Sequence, residues 1–247
     1  MEFMKKDLIW ILFLLIPFFG FTQKETKEKK PGQKQGIYLD ASVGASFPLG
    51  PYANDDPKND AAGFAKPGFF IQANAEWMGK NLFGLDFQLA YQNNSIKDTA
   101  KTVILDGSSL PIGSGNWSNI YIMAGPLFLT QIKKIAIDAK LLGGFLISTS
   151  PVFETTNPET NMNAGGTATG FAVGVNIGLG YSISKKVALK LTLGYLAGFP
   201  KIERQYNTVV IGIDSLTGNY IYSSPVDITR KRTVSTFNTG LGLIYKF

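Results

Sequence analysis

The side chains that most often carry protein chemistry are missing from this chain. Its 247 residues include no His and no Cys, which removes the usual general base, the commonest metal ligand and the thiolate nucleophile. What remains for acid, base or ionic work is a spaced set of carboxylates and lysines: Asp40, Glu76, Asp86, Asp138, Lys140, Lys190 and Lys246. Each sits within a run of alternating apolar residues, so each is expected on the polar side of an extended segment. A second acidic group, Asp55, Asp56 and Asp60 in DDPKND, lacks the Gly and terminal Glu of an EF-hand loop. The stretches GSSLPIGSG and NAGG have neither a Lys nor a following helix, so they do not read as phosphate loops. No catalytic residue, cofactor or metal site is expected.

The net charge of +6 raises nucleic acid as a partner. Five Lys and two Glu of the segment 23–35 supply half of that excess, and Lys80, Lys133, Lys134, Lys185 and Lys186 fall in short turns. No basic helix or aromatic-interleaved basic face remains, so nucleic acid is excluded. Charged residues make up 17% and Gly numbers 27, a composition too charge-poor for a disordered chain and too glycine-rich for a typical cytosolic enzyme. At the N-terminus, Lys5 and Lys6 precede an apolar run over 8–21 that is too short for a spanning helix but suits a secretory signal. Residues 1–22 are therefore expected to be a cleaved signal peptide and 23–35 a polar periplasmic linker.

The elements that must position the charged residues are strands. Alternation places Ile37, Leu39, Ala41 and Val43 opposite Asp40 and Ser42, and Phe69, Ile71 and Trp77 opposite Gln72 and Glu76. It likewise sets Phe83, Leu85 and Leu89 against Asp86 and Gln88, and Ile135 and Ile137 against Asp138 and Lys140. Val173, Val175 and Ile177 oppose Gly174, Asn176 and Gly178, while Leu189, Leu191 and Leu193 oppose Lys190 and Thr192. Leu241, Leu243 and Tyr245 oppose Gly242 and Lys246. A further segment, 119–129, is apolar on both faces and its register stays open. The polar faces are lined by Gly, Ala, Ser, Thr and Asn, as a crowded small-barrel interior requires, and the assigned apolar faces carry no charge. A soluble sheet would tolerate a Lys there, whereas lipid at mid-depth exacts about 2 to 4 kcal/mol.

Connections alternate strictly between long (50–66, 93–117, 150–167, 200–233) and short (79–81, 131–134, 184–186). That is the pattern of barrels with short periplasmic turns and longer extracellular loops, and eight strands put both termini on the periplasmic side. Aromatics gather at both strand ends as membrane-interface girdles: Trp77, Phe83, Tyr181, Tyr245 and Phe247 at one, Tyr91, Tyr195, Phe199 and Phe237 at the other. The expected fold is all-β, an eight-stranded antiparallel transmembrane up-and-down β-barrel over 36–247.

The closing stretch TFNTGLGLIYKF, with Tyr245 and terminal Phe247, resembles the C-terminal signal read by the barrel-assembly machinery. From residue 36 onward the chain resembles the small outer-membrane barrels of the OmpA/OmpX type, and more closely the outer membrane β-barrel domain proteins of Bacteroidota; the ending FTQK of the signal segment is similar to theirs. The resemblance implies outer-membrane localisation, lipid as the surrounding partner and a monomer. It implies no shared activity, and the enzymes known among such barrels depend on histidine. The seven lumenal charges are read as a neutralising plug, not an ion pathway. QYNTVVIGID and NYIYSSPVDI flank SLTG and are expected to project the last two strands as a hairpin, 205–228, whose strand edges offer a docking site for a protein partner. A structural or surface-interaction role is thus expected, with a narrow pore, an uptake component or an accessory subunit of a secretion complex as rivals.

Overall fold

A computed structural model describes residues 36–56, 62–79, 82–97, 104–105, 108–109, 112–154, 160–213, 220–222 and 226–247. The expected signal segment and linker lie outside the described residues. Eight long strands follow in order: β1 Gly36–Leu49, β2 Gly68–Met78, β3 Phe83–Ser95, β4 Asn116–Ile132, β5 Ile135–Glu154, β6 Thr160–Ser182, β7 Val187–Ile213 and β8 Val234–Lys246. Each pairs antiparallel with the next. β8 returns to β1 in unbroken register from Tyr38↔Lys246 to Leu49↔Ser235. The sheet is a closed eight-stranded antiparallel barrel, and closure removes the free edges that an open sheet would present.

The faces are inverted relative to a water-soluble protein. Leu241 is 68% exposed and Leu141 61%, whereas Lys190 and Glu76 are each 2% exposed. The outward positions follow the period-two reading on all seven strands where a register was assigned. β4 is now fixed as well: Trp117, Asn119, Tyr121, Met123, Leu127 and Leu129 point inward, and Ile120 and Ile122 outward. Its two faces look alike in sequence because the interior it lines is itself apolar near both ends.

Both chain ends of the barrel lie at the short-turn end, where the Phe247 amide donates to the Ile37 carbonyl at 3.1 Å. At the other end the strands reach unequal heights. β7 alone spans 27 residues, well beyond the roughly 9–11 that a tilted strand needs to cross a bilayer. Much of the connection expected over 150–167 is strand, since β5 runs to Glu154 and β6 starts at Thr160. The expected hairpin continues the existing ladder: a return strand, Val226–Lys231, pairs with β7 from Lys201↔Lys231 to Tyr206↔Val226, in phase with the β7–β8 pairing below it. These runs are extensions of the last two strands and add no ninth or tenth staves. The extension of β7 does not offer both edges as expected, because Gln205, Tyr206 and Val209 pair with Asn163, Met162 and Thr160 of β6.

The closing seam is tight where two lumen-side glycines, Gly44 and Gly240, face each other across β1 and β8. A Cβ on Gly240 would collide with the Val43 carbonyl and the Phe70 ring. Gly240→Val is therefore expected to cost about 1–3 kcal/mol through overpacking, read as a lower urea midpoint for the barrel refolded in lipid vesicles. Val43→Leu, on the exposed outer face, should leave the midpoint unchanged.

Candidate functional site

Strand alternation turns every second side chain to the interior, and pairing register decides which of the charged and polar ones meet. At the level set by Asp40 on β1, Glu76 and Asp86 are directly opposed on β2 and β3, while Asp138 and Lys140 come from β5 and Lys190 from β7. These six converge. The Lys140 ammonium lies 2.8 Å from Glu76 Oε1, 2.9 Å from Asp86 Oδ1 and 3.8 Å from Asp40 Oδ2. Lys190 contacts Asp40 Oδ2 as its nearest partner, with Asp138 Oδ2 at 3.2 Å and Glu76 Oε1 at 3.5 Å. All six side chains are almost completely shielded from solvent.

Glycine makes the cluster possible. Gly178 on β6 faces it from between β5 and β7, and a Cβ there would occupy the space of Asp138 Oδ2 and the Lys190 methylene next to nitrogen. Neutral groups extend the network toward the long-loop end. Asn74 Nδ2 donates to Asp40 at 3.0 Å, Ser42 Oγ donates to Asp40 at 3.1 Å, and Asn176 Nδ2 donates to Gln88 at 2.6 Å. Lys246 does not join. It shares the inward face but lies at the rim, with its ammonium 3.4 Å from Ser182 Oγ and 6.0 Å from the centre of the Tyr38 ring. Alternation specifies a face but not a height, and for that reason the grouping of seven contained one residue too many.

Apolar strata close the interior above and below. Toward the short turns, Met78, Leu127, Leu129 and Ala136 pack together. Toward the long loops, Tyr121, Met123, Leu142, Leu146 and Leu196 pack beneath Tyr52 and Trp117. This upper stratum is capped by the first long connection, which folds inward. Gly50–Tyr52 forms a 3-10 turn that puts the Tyr52 ring edge-on to Trp117 at 5.2 Å. The Trp117 indole N–H donates to the Gly63 carbonyl at 2.8 Å, Arg232 Nη1 donates to the Ala62 carbonyl at 3.1 Å, and the guanidinium stands 5.9 Å from the indole ring. Burial pushes the Tyr52 phenol well above its usual pKa, so it stays a donor, to Asn94 Oδ1, while accepting from Asn119 Nδ2 at 3.0 Å.

Sequence reasoning missed this cap and treated 50–66 as a turn-rich loop. Trp117 and the Pro51–Tyr52 pair were its only local hints; the contacts that matter join residues far apart in the chain. Of the loop acids, Asp55 pairs with Lys97 at 3.2 Å in a solvent-exposed contact, and Asp60 lies outside the described residues. Among the described residues no cluster of three His, Cys, Asp or Glu is arranged to hold a metal ion.

The outer aromatics form two bands. At the short-turn end Trp77, Phe83, Tyr181, Tyr245 and Phe247 are exposed. Lys134 and Lys186 reach from the turns over the Tyr181 and Tyr245 rings at 6.0 and 5.8 Å. At the other end register links Phe145↔Phe171↔Phe199 and Tyr195↔Phe237↔Phe47 into a belt, with Phe69 6.0 Å from Tyr91 beside it. Phe47, Phe69, Phe145 and Phe171 were not among the aromatics assigned to the girdles from sequence, though the outward parity of Phe69 and Phe171 was read there.

No protein-family model matches the chain, and no curated protein matches it in sequence. Among solved structures, it is similar to Neisserial surface protein A (NspA), at 12% identity over 86% of this chain and 97% of that one, TM-score 0.48. A major outer membrane protein from Thermus thermophilus is similar at 12% identity over 85% and 99%, TM-score 0.49. Ail, the attachment invasion locus protein of Yersinia pestis, is similar at 13% identity over 86% and 100%, TM-score 0.44. The barrel assignment rests on the closed ladder, not on these likenesses.

The ion cluster yields a test of its own. Lys190→Met strands Asp40 and Asp138 without their nearest cation and is expected to cost about 3–5 kcal/mol, measured by urea titration in vesicles. Lys246→Met, outside the cluster, should cost far less.

Proposed function

We propose that this protein is an integral outer-membrane barrel without enzymatic activity, sealed along its axis and serving a structural or surface-interaction role. One observation carries the reading: charge is packed inside and hydrocarbon outside. Between the two aromatic bands no outward position of the described residues is charged, and Leu85, Val175, Leu191 and Leu243 stand exposed there. An apolar surface that encircles a molecule far exceeds the few hundred Å² that a soluble monomer shows. A bilayer covers it without cost, and a closed barrel is one of only two backbone arrangements that satisfy every ladder hydrogen bond in hydrocarbon. Export by the signal-like 1–22 segment and insertion through the Tyr245 and Phe247 ending both fit that environment.

The plug reading follows from the strata. An ion crossing the lumen would have to part Lys140 and Lys190 from their carboxylates and then displace apolar layers on both sides. The expected result in planar bilayers is no steady conductance from the heat-shifting, folded barrel. A steady current abolished by Lys140→Met or Lys190→Met would overturn the plug in favour of a narrow pore.

A second reading concerns the extension above the mouth. β1 ends at Leu49, opposite Ser235, so the return strand Val226–Lys231 has β7 as its one strand partner among the described residues. Its other side is a backbone edge able to take an extended peptide by β-augmentation. If it serves as a docking site, deleting 205–228 is expected to abolish capture of a surface partner by intact cells while leaving barrel mobility on gels unchanged; unchanged capture would remove this reading.

A further inference from the structure

Among the described residues, the rim at the short-turn end carries cations and no exposed acidic side chain. Lys133 and Lys134 form the turn between β4 and β5, Lys185 and Lys186 belong to the turn between β6 and β7, and Lys246 ends β8. The two turns are neighbours, because β5 and β6 pair beside them at Ile135↔Tyr181. The four turn lysines are exposed, and none of the five is bridged to a carboxylate among the described residues. The described acids of this half, Asp40, Glu76, Asp86 and Asp138, are buried in the lumen. Turn formation does not account for the lysines. Lys133 has a φ of 55°, in the left-handed region that a two-residue hairpin loop normally gives to Gly, Asn or Asp. Backbone held in that region gathers at sites that clamp a ligand. Both turns are also anchored: the Ser182 amide donates to the Lys134 carbonyl and the Lys246 amide to the Lys186 carbonyl, each at 2.8 Å. Ser184 Oγ accepts from the amides of Lys186 and Val187 at 3.2 and 3.0 Å.

Two of these ammonium groups sit on the outer face of the barrel. Lys134 and Lys186 stand 6.0 and 5.8 Å from the centres of the exposed Tyr181 and Tyr245 rings, which holds their charge at the level of the aromatic band. Register puts Tyr181 on one flank of β7, opposite Leu189, and Tyr245 on the other, opposite Val187. Between the two rings the outward column of β7 runs into the belt through Leu189, Leu191 and Leu193, all exposed. We propose that Lys134 and Lys186 form a binding site for the phosphate of an anionic phospholipid in the leaflet on the short-turn side, its tail lying along the β7 column. The proposal rests on the membrane reading above. Lys133 and Lys185 add to the positive field, which favours a headgroup with no ammonium of its own to cancel the phosphate. A soluble phosphate or an acidic peptide would meet the charge but leave the column unused, which is why the occupant is a lipid.

The test uses the full mature chain, reconstituted in an equimolar mixture of phosphatidylglycerol and phosphatidylcholine, gently released and weighed with its retained lipid by native mass spectrometry. Near a membrane surface each lysine is worth about a fivefold preference for an anionic lipid. The wild type should retain phosphatidylglycerol over phosphatidylcholine by at least that factor, and Lys134→Gln with Lys186→Gln should remove the preference. Lys201→Gln, at the opposite end, should keep it. Neither millimolar glycerol phosphate nor hexaglutamate, standing for an acidic peptide, should compete. Equal retention of the two lipids, a preference that survives the double substitution or is lost with Lys201→Gln, or full competition by either solute would each overturn the site. Heat-dependent gel mobility in every sample separates the two readings: a chain that never inserts refutes membrane integration itself, and this site with it, whereas an inserted barrel without preference refutes the site alone.

Discussion

Two ammonium groups holding four carboxylates inside a closed ladder set the terms for the rest of this molecule. An ion buried in a low-dielectric interior is tolerated only with close, well-formed partners, and the barrel's circumference brings β1, β2, β3, β5 and β7 near enough to supply them. The strand between β5 and β7 must then give way, and it does so with Gly178, where any larger residue would occupy the ions' own space. Small residues on the polar faces are thus not filler. They are the counter-shape of long side chains that reach across from other strands.

The same constraint explains the layering. Charges meet near one level, amides and hydroxyls extend the network from it, and apolar side chains close both ends. Water is kept from the ions by Leu127 and Met78 on one side and by Tyr121, Leu146 and the Tyr52–Trp117 pair on the other. The inward fold of the first connection belongs to that scheme, since it supplies Tyr52 to the cap and two backbone carbonyls, of Ala62 and Gly63, to receive Arg232 and Trp117.

Much of this was legible in the sequence, because a strand's period of two is independent of what the strand packs against. Asp40, Glu76, Asp86, Asp138, Lys140 and Lys190 could be assigned to the interior from their neighbours alone. β4 resisted, since Tyr121, Met123, Leu127 and Leu129 make its lumenal side as apolar as its outer side. Lys246 was grouped with the cluster because parity carries no information on depth along the axis. The cap was invisible for a different reason: Tyr52, Trp117 and Arg232 are joined by the closure of the barrel and by no local pattern. The extension of β7 was readable as strand, but its partner on β6 was not, since nothing in either segment announces the pairing.

The unequal heights of the strands have a directional consequence. Among the described residues β5, β6 and β7 run on past the belt while β1, β2 and β3 stop near it, so the ladder itself forms a parapet on one side and a low sill on the other. Anything travelling in the plane of the surface meets a wall of backbone from one bearing and the lid over Trp117 from the opposite one. A molecule with no internal symmetry thereby has a front and a back, and its encounters with neighbours depend on how it is turned.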